Sequence, residues 1–238
     1  MPIFTLSPAS LPSGMRIYAV GDIHGCAARL DDLHAQIAAD LAARPVGDAL
    51  LIHLGDYVDR GPDSHAVIEK LAAGPPIAGL RTLNLTGNHE QLMLKTLGSL
   101  DQDDIELWLA NGGEETLQSW NVDPWGDPGE WPGAFALEQL NFLRDLPVTH
   151  AAGEYLFVHA GIRPGVPLDL QVREDLLWIR DPFLSFDGDL GMVVVHGHTP
   201  VSAPLIRRNR IDIDTGAYLG GDLTCAILEG DRIGFLQA

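Results

Sequence analysis

Five short segments concentrate side chains able to bind metal ions and move protons. Gly21-Asp22-Ile23-His24-Gly25, Gly55-Asp56-Tyr57-Val58-Asp59-Arg60-Gly61 and Gly87-Asn88-His89-Glu90 lie in the first half of the chain, and His159 and His196-Gly197-His198 in the second. Oxygen and imidazole donors with no cysteine among them suit Mn, Fe, Zn or Ni rather than Ca. They outnumber what one ion takes. The pattern therefore points to a dinuclear site in which a carboxylate bridges two ions ~3.5–4 Å apart. Such a pair can hold a hydroxide in line with phosphorus and clamp the ester oxygens. Arg60 and Arg180 carry the planar guanidinium that grips phosphate oxygens in pairs, as lysine cannot. Cys26 is close enough to the first segment to be weighed as a nucleophile, but Arg29 comes only three residues later and no Cys-x5-Arg pattern exists. Cys26 reads instead as the packed start of a helix.

These residues need elements that bring them together. Met15 to Val20, Ala49 to Leu54 and Arg81 to Leu85 read as strands ending at the three glycine-flanked segments. Helices are expected from Cys26 to Arg44, with Leu30, Leu33, Ile37 and Leu41 on one face, from Asp63 or Ser64 through Leu71, and from Glu90 onward. Strands alternating with helices imply a parallel sheet, and its strand C-termini line one crevice where ligands bind. Asp22, His24, Asp56, Asn88 and His89 should therefore converge. The C-terminal third is strand-rich: a hairpin of Val148 to Ala151 and Tyr155 to His159, then Met192 to Val195, and antiparallel strands over Leu205 to Ile213, Leu223 to Leu228 and Arg232 to Leu236 with turns at Asn209 and Gly230-Asp231. The expected fold class is α/β, two mixed sheets packed together with helices outside. Between the two halves, Asp101 to Asp145 carries eleven acids against one base, Arg144, and four of the five tryptophans. It reads as a helical insertion or cap whose tryptophans anchor a small core of their own.

The chain has 238 residues, enough for one domain with a real core, and the expectation is a single domain over 1–238. With 15 Lys+Arg against 33 Asp+Glu its formal charge is −18, which argues against nucleic acid and anionic membranes as partners. No apolar run approaches the ~20 residues that cross a bilayer. Two cysteines give no disulfide framework, and the N-terminus does not read as a secretory signal, so the expected location is the cytoplasm. The expected metal pair and two arginines make the site locally positive despite the acidic chain. The acidic insertion is then expected to screen out highly charged substrates.

The first three segments, in this order and spacing, resemble the PPP-type phosphoprotein phosphatases of the calcineurin-like metallophosphoesterase superfamily. Trp108-Leu109-Ala110-Asn111-Gly112-Gly113, Trp178-Ile179-Arg180, Gly197-His198-Thr199-Pro200 and Ile213-Asp214-Thr215-Gly216-Ala217 resemble the short bacterial and bacteriophage lambda type. The resemblance runs from Met15 to the C-terminus. It implies a metallophosphoesterase-like sandwich and two divalent ions, Mn in the first place. Asp22 and His24 would bind the first ion, Asp56 both, and Asn88, His159 and His198 the second. Pro200 stands where the wider superfamily has a further histidine, leaving the first ion an open position. His89 would protonate the leaving alkoxide with Asp59 as its orienting partner, and Arg60, Arg180 and Asn111 would meet the substrate phosphate, Asn111 equally well shaping its loop. The implied mechanism is direct attack by a dimetal-bound hydroxide.

The remaining candidates read as support. Glu90 serves a helix start; His196 and Asp214 are packed or supporting; His34, His53, His65 and His150 are core or surface residues. Arg207, Arg208 and Arg210 are a solvated hairpin, or a dock for an acidic partner. The function the resemblance implies is a metal-dependent serine/threonine phosphoprotein phosphatase, acting on phosphoproteins or small phosphoesters. The alternative is a dinucleoside polyphosphate hydrolase using the same site. A binding module without catalysis is disfavoured, because it would have no need of His89, Asp59 and both arginines. Oligomeric state is not legible.

Overall fold

The structure is a computed structural model describing residues 2–238. Its first sheet has six strands in the order β1-β11-β10-β2-β3-β4. They are β1 (Phe4–Leu6), β2 (Met15–Val20), β3 (Asp48–His53), β4 (Arg81–Asn84), β10 (Thr224–Glu229) and β11 (Arg232–Gln237). The second runs β5-β6-β7-β9-β8, from β5 (Thr149–Ala152), β6 (Tyr155–Val158), β7 (Val193–His196), β8 (Leu205–Ile206) and β9 (Arg210–Asp212). β2, β3 and β4 are parallel, as are β6, β7 and β9, while the flanking pairs are antiparallel. The central strands are apolar on both faces because both faces are covered.

Ile17, Ala19 and Ile52 of one sheet meet Phe157, Val195 and Ile211 of the other in the core between the sheets. The outer face of the first sheet is covered by α1 (Ala27–Ala43), α2 (Ser64–Ala72) and α3 (Asn88–Ser99). α1 buries Leu30, Leu33 and Ile37, the face its periodicity marks. The second sheet packs Leu156, Val158 and Val194 against Leu176 of α7 (Arg173–Trp178) and Phe183. This is the expected α/β architecture of two mixed sheets between helices.

Three expectations change. The third helix starts at Asn88, two residues early, so Asn88 and His89 occupy its first turn. The segment from Leu205 to Ile213 forms the expected hairpin of two short strands, with Asn209 in its turn giving its side-chain amide to the carbonyls of Phe186 and Gly188. The insertion forms α4 (Gln102–Trp108), α5 (Glu114–Ser119), a short 3-10 helix (Pro128–Ala134) and α6 (Leu137–Arg144). Its tryptophans have no separate core: Trp108, Trp120 and Trp131 join the cluster that holds Tyr18 and Val20 of β2, while Trp125 is 74% exposed. The three C-terminal arginines do not form one basic surface. Arg210 is buried beside His196 and Asp212, and Arg207 and Arg208 turn to Asp187.

Under the first sheet, His53 Nδ1 donates to Asn84 Oδ1 (2.7 Å), which leaves its Nε2 to accept from His34 Nε2 (2.9 Å). Burial pushes His34 down to about 4, and burial followed by the His34 charge pushes His53 down to about 3. An unfolded chain takes up protons on both rings near the ordinary value of 6.5, whereas the folded chain refuses them until the lowered values. Falling pH therefore favours unfolding across that window. Replacing both (His34→Gln with His53→Gln) should flatten the decline of stability between pH 6.5 and about 4, read from urea midpoints. An unchanged decline would contradict this account.

Candidate active site

The C-terminal ends of β2, β3, β4, β6 and β7 deliver the five segments to one edge of the sandwich. Five of the seven non-glycine residues with left-handed backbone among the described residues are here: His24, Asp56, Asp59, Arg60 and His198, with φ between 42° and 72°. Such conformations cost about 1–3 kcal/mol each and persist only where surrounding structure fixes them. Glu90 is the main fixture. Its Oε2 accepts the N–H groups of Asp56 (2.9 Å) and Gly87 (2.8 Å), and its Oε1 those of Tyr57 (2.7 Å) and Val58 (3.2 Å). One carboxylate thus ties the second segment to the third. Packing leaves no slack: a β-carbon on Gly87 would overlap Asp56 Oδ1, and one on Gly197 would overlap Asp22 Oδ1.

Two triads of ligand atoms form, each within 4.8 Å: His24, Asp56 and His89; and Asp56, His159 and His198. All five residues are buried, and Asp56 is shared. Asn88 completes the second triad, with Oδ1 2.8 Å from His159 Nε2 and 2.9 Å from His198 Nδ1. Asp22 is not in the first. Its Oδ2 accepts the His198 backbone N–H (3.0 Å), and its Oδ1 is buried without a partner.

The donor set fits divalent ions. His159 Nδ1 donates to Leu54 O (3.1 Å), so its Nε2 faces two more acceptors, Asn88 Oδ1 and Asp56 Oδ1 (3.3 Å). Three acceptors at these distances need a positive charge between them. His198 Nε2, His89 Nε2 and Asp22 Oδ1 are buried and unpartnered. Burial pushes His24 down to about 3 and His198 to about 2, so both imidazoles are neutral, the His198 Nε2 lone pair free and that of His24 Nε2 held by Arg60. Burial, then the charges of Asp214 and Asp56, push the Asp22 carboxyl well up. Burial would also raise Asp56, but His159 and His89 outweigh it and hold it well down.

The family described as calcineurin-like phosphoesterase matches residues 15–233. The chain is a calcineurin-like phosphoesterase. It is 30% identical over 220 residues to serine/threonine-protein phosphatase 1 of Salmonella typhimurium, covering 90% of this chain and 92% of that one. It is 28% identical over 236 residues to PrpE, an asymmetrical bis(5'-nucleosyl)-tetraphosphatase of Bacillus cereus, covering 88% and 89%. Identity to the symmetrical bis(5'-nucleosyl)-tetraphosphatase of Dechloromonas aromatica is 33% over 156 residues, 63% of this chain but 45% of that protein. A crystal structure of a candidate diadenosine tetraphosphatase superposes with a TM-score of 0.67 at 22% identity, covering 97% and 98% of the two chains, which bears on the fold.

Around the ligand cluster, this phosphoesterase places the other expected residues unequally. His89 Nδ1 donates to Asp59 Oδ2 (2.7 Å), so the pair expected from the sequence is in contact. Burial works against charge on His89, but Asp56 and the Asp59 hydrogen bond raise its pKa above the ordinary value. Arg60 Nη1 donates to His24 Nε2 (3.1 Å), with its guanidinium over the Tyr218 ring at 4.9 Å. Arg180 is exposed. No carboxylate among the described residues lies within ion-pair distance of it, and its charge is felt at His198. Asn111 uses its amide locally, donating to Leu107 O (2.8 Å) in the turn Leu109–Gly113, and it lines the groove beside Arg60. Asp214 adjoins Asp22 across Gly197, whereas His196 packs on Phe183 and stays behind the site.

Sequence reasoning missed Trp108, Thr116 and Tyr218. Trp108 and Thr116 bond the Asp59 carboxylate, and the Tyr218 ring meets both His24 and Arg60. Only the place of Trp108 inside one motif, and of Tyr218 directly after another, hinted at them. The reach of Glu90 to four N–H groups was likewise outside the helix-start reading. Glu90→Gln replaces two of its acceptor positions with a donor and should cost about 2–3 kcal/mol in denaturant unfolding. A loss below ~0.5 kcal/mol would contradict the role given to Glu90.

Proposed function

We propose that this phosphoesterase is a metal-dependent phosphatase of phosphoserine and phosphothreonine in proteins. The observation that carries the reading is the groove beside the ligand cluster. A cavity of about 540 Å³ is lined by Arg60, Leu109, Ala110, Asn111, Gly112, Glu114, Glu115 and Tyr218. It offers one cation, and two carboxylates stand in its wall. One guanidinium suits one phosphoryl group. A tetraphosphate chain carries several further charges, which Glu114 and Glu115 would repel. The relation to a phosphatase of similar length supports the same choice. Dinucleoside polyphosphate hydrolysis is the second reading, favoured by the relation to PrpE over most of both chains. The charge of −18 weighs against nucleic acid and membranes as partners. No helix among the described residues is long and apolar enough to cross a membrane. A cytoplasmic location and Mn as the working metal belong to the proposal.

In this reading, Asp22, His24, Asp56, Asn88, His159 and His198 hold two divalent ions, which when bound supply Lewis acidity and lower the pKa of water. The chain's own residues do the rest. Arg60, its guanidinium over the Tyr218 ring, yields His24 Nε2 to the ion and grips phosphoryl oxygens, and the exposed Arg180 approaches from the His198 side. His89 gives its Nε2 proton to the departing serine or threonine oxygen. Asp59 holds the opposite ring nitrogen, fixing tautomer and direction. The buried walls contributed by Asp56, His89 and His159 keep the charges in a low-dielectric surround, where each interaction is stronger.

The expected result with Mn²⁺ is turnover of phosphoserine and phosphothreonine peptides well above that of diadenosine tetraphosphate, and its loss in Asp56→Asn. Glu114→Gln with Glu115→Gln should raise kcat/KM on diadenosine tetraphosphate roughly threefold or more at low salt, and less at high salt. A faster wild-type rate on the dinucleotide would replace the proposal with the second reading.

A further inference from the structure

The mechanism leaves one question open: what keeps Asp59 aimed at His89. Asp59 is fully buried on a left-handed backbone (φ 72°), and two of the residues that bond it come from the acidic insertion. Trp108, the last residue of α4, sends its Nε1–H to both carboxylate oxygens, at 3.0 and 3.1 Å. Thr116 of α5 donates its hydroxyl to Oδ1 at 2.7 Å. The same Thr116 oxygen accepts the Asp59 backbone N–H at 2.8 Å, and Ser64 Oγ accepts it at 3.1 Å. Between α4 and α5, the carbonyl of Gly112 accepts the N–H of Arg60 at 3.1 Å. Gly113 lies flat on the Trp108 indole, where a β-carbon would come within 2.7 Å of the ring.

We propose that Trp108 and Thr116 are positioning residues for proton transfer, and that the insertion works as a clamp on the Asp59–His89 pair. This rests on the reading of His89 as the proton donor. Three donors fix the Asp59 carboxylate: His89 Nδ1 on Oδ2, Thr116 on Oδ1, and Trp108 on both. Its plane cannot rotate without breaking a buried bond. The imidazole is held through Nδ1, and its Nε2, buried and unpartnered, points to the cluster, 3.9 Å from Asp56 Oδ2. In the step served, the bond from phosphorus to the leaving oxygen breaks with its electron pair on that oxygen. That oxygen takes the Nε2 proton. Water supplies the new phosphorus–oxygen bond, and the proton it releases restores His89 over the cycle. Losing either donor frees the carboxylate to turn, and the imidazole with it. Trp108 is then both a core residue of the first sheet's helical face and the link between that core and the acid.

The test compares leaving groups, because a proton donor matters most where the leaving oxygen is most basic. Thr116→Val keeps shape and removes the donor; Trp108→Phe removes the donor together with part of the buried ring. Each should lower kcat on phenyl phosphate and on a phosphoserine peptide by about 10–100-fold, with less than about threefold loss on p-nitrophenyl phosphate. KM and metal content should stay within about twofold. Thr116→Ser, which retains the hydroxyl, should recover most of the loss; it and Thr116→Val suffice if Trp108→Phe does not fold. His89→Asn is run on the same series. If His89→Asn shows no leaving-group dependence, the proton-donor reading falls. If it does, and Trp108→Phe and Thr116→Val lose equally on all substrates or not at all, the positioning role is overturned.

Discussion

A carboxylate 1% exposed to water must be surrounded by groups that replace water, and Asp56 is the point on which this structure depends. It sits after strand β3, on a left-handed backbone that Glu90 holds by its N–H. Its oxygens stand 3.3 Å from His159, 3.4 Å from His24 and 3.9 Å from His89. Its Oδ1 also accepts the backbone N–H of His89 at 3.1 Å. Both ligand triads share it, so both sheets and α3 have to meet there. The parallel core of each sheet brings the strand ends to one edge, and the pairing of the two sheets brings the edges together.

That dependence explains which features were legible. Asp22, His24, Asp56, Asn88, His159 and His198 lie within a few residues of strand ends, and the topology of parallel strands fixes where strand ends go, while their roles as ligands came from the resemblance. The five strand-end clusters were read as one site on that ground, and the structure gathers them. The Asp59–His89 contact followed from the resemblance and is present. The early start of α3 was missed for a physical reason. Gly87 has an extended backbone (φ −104°) and accepts the helix-start role that Glu90 completes from the third position, so Asn88 and His89 can enter the first turn.

What stayed hidden were contacts between segments far apart in the chain. Trp108 and Thr116 lie 49 and 57 residues from Asp59, and no periodicity predicts such a bond. The acidic, tryptophan-rich composition of the insertion suggested a self-contained cap. Its acids are instead mostly a solvated outer face, while Trp108 and Trp131 sink into the common core with ring centroids 6.0 Å apart. Arg207, Arg208 and Arg210 misled in the opposite direction. Adjacent in sequence, they diverge because a two-residue strand and a tight turn send Arg210 inward and its neighbours out.

The central claim is that Asp56 joins two divalent ions at this edge of the sandwich. Anomalous diffraction at the Mn absorption edge, on crystals grown with Mn²⁺, tests it most directly. The account predicts two peaks per chain, ~3.5–4 Å apart, with Asp56 between them, Asp22 and His24 beside one, and Asn88, His159 and His198 around the other. A single peak, or peaks that leave Asp56 outside the coordination of either ion, would contradict it.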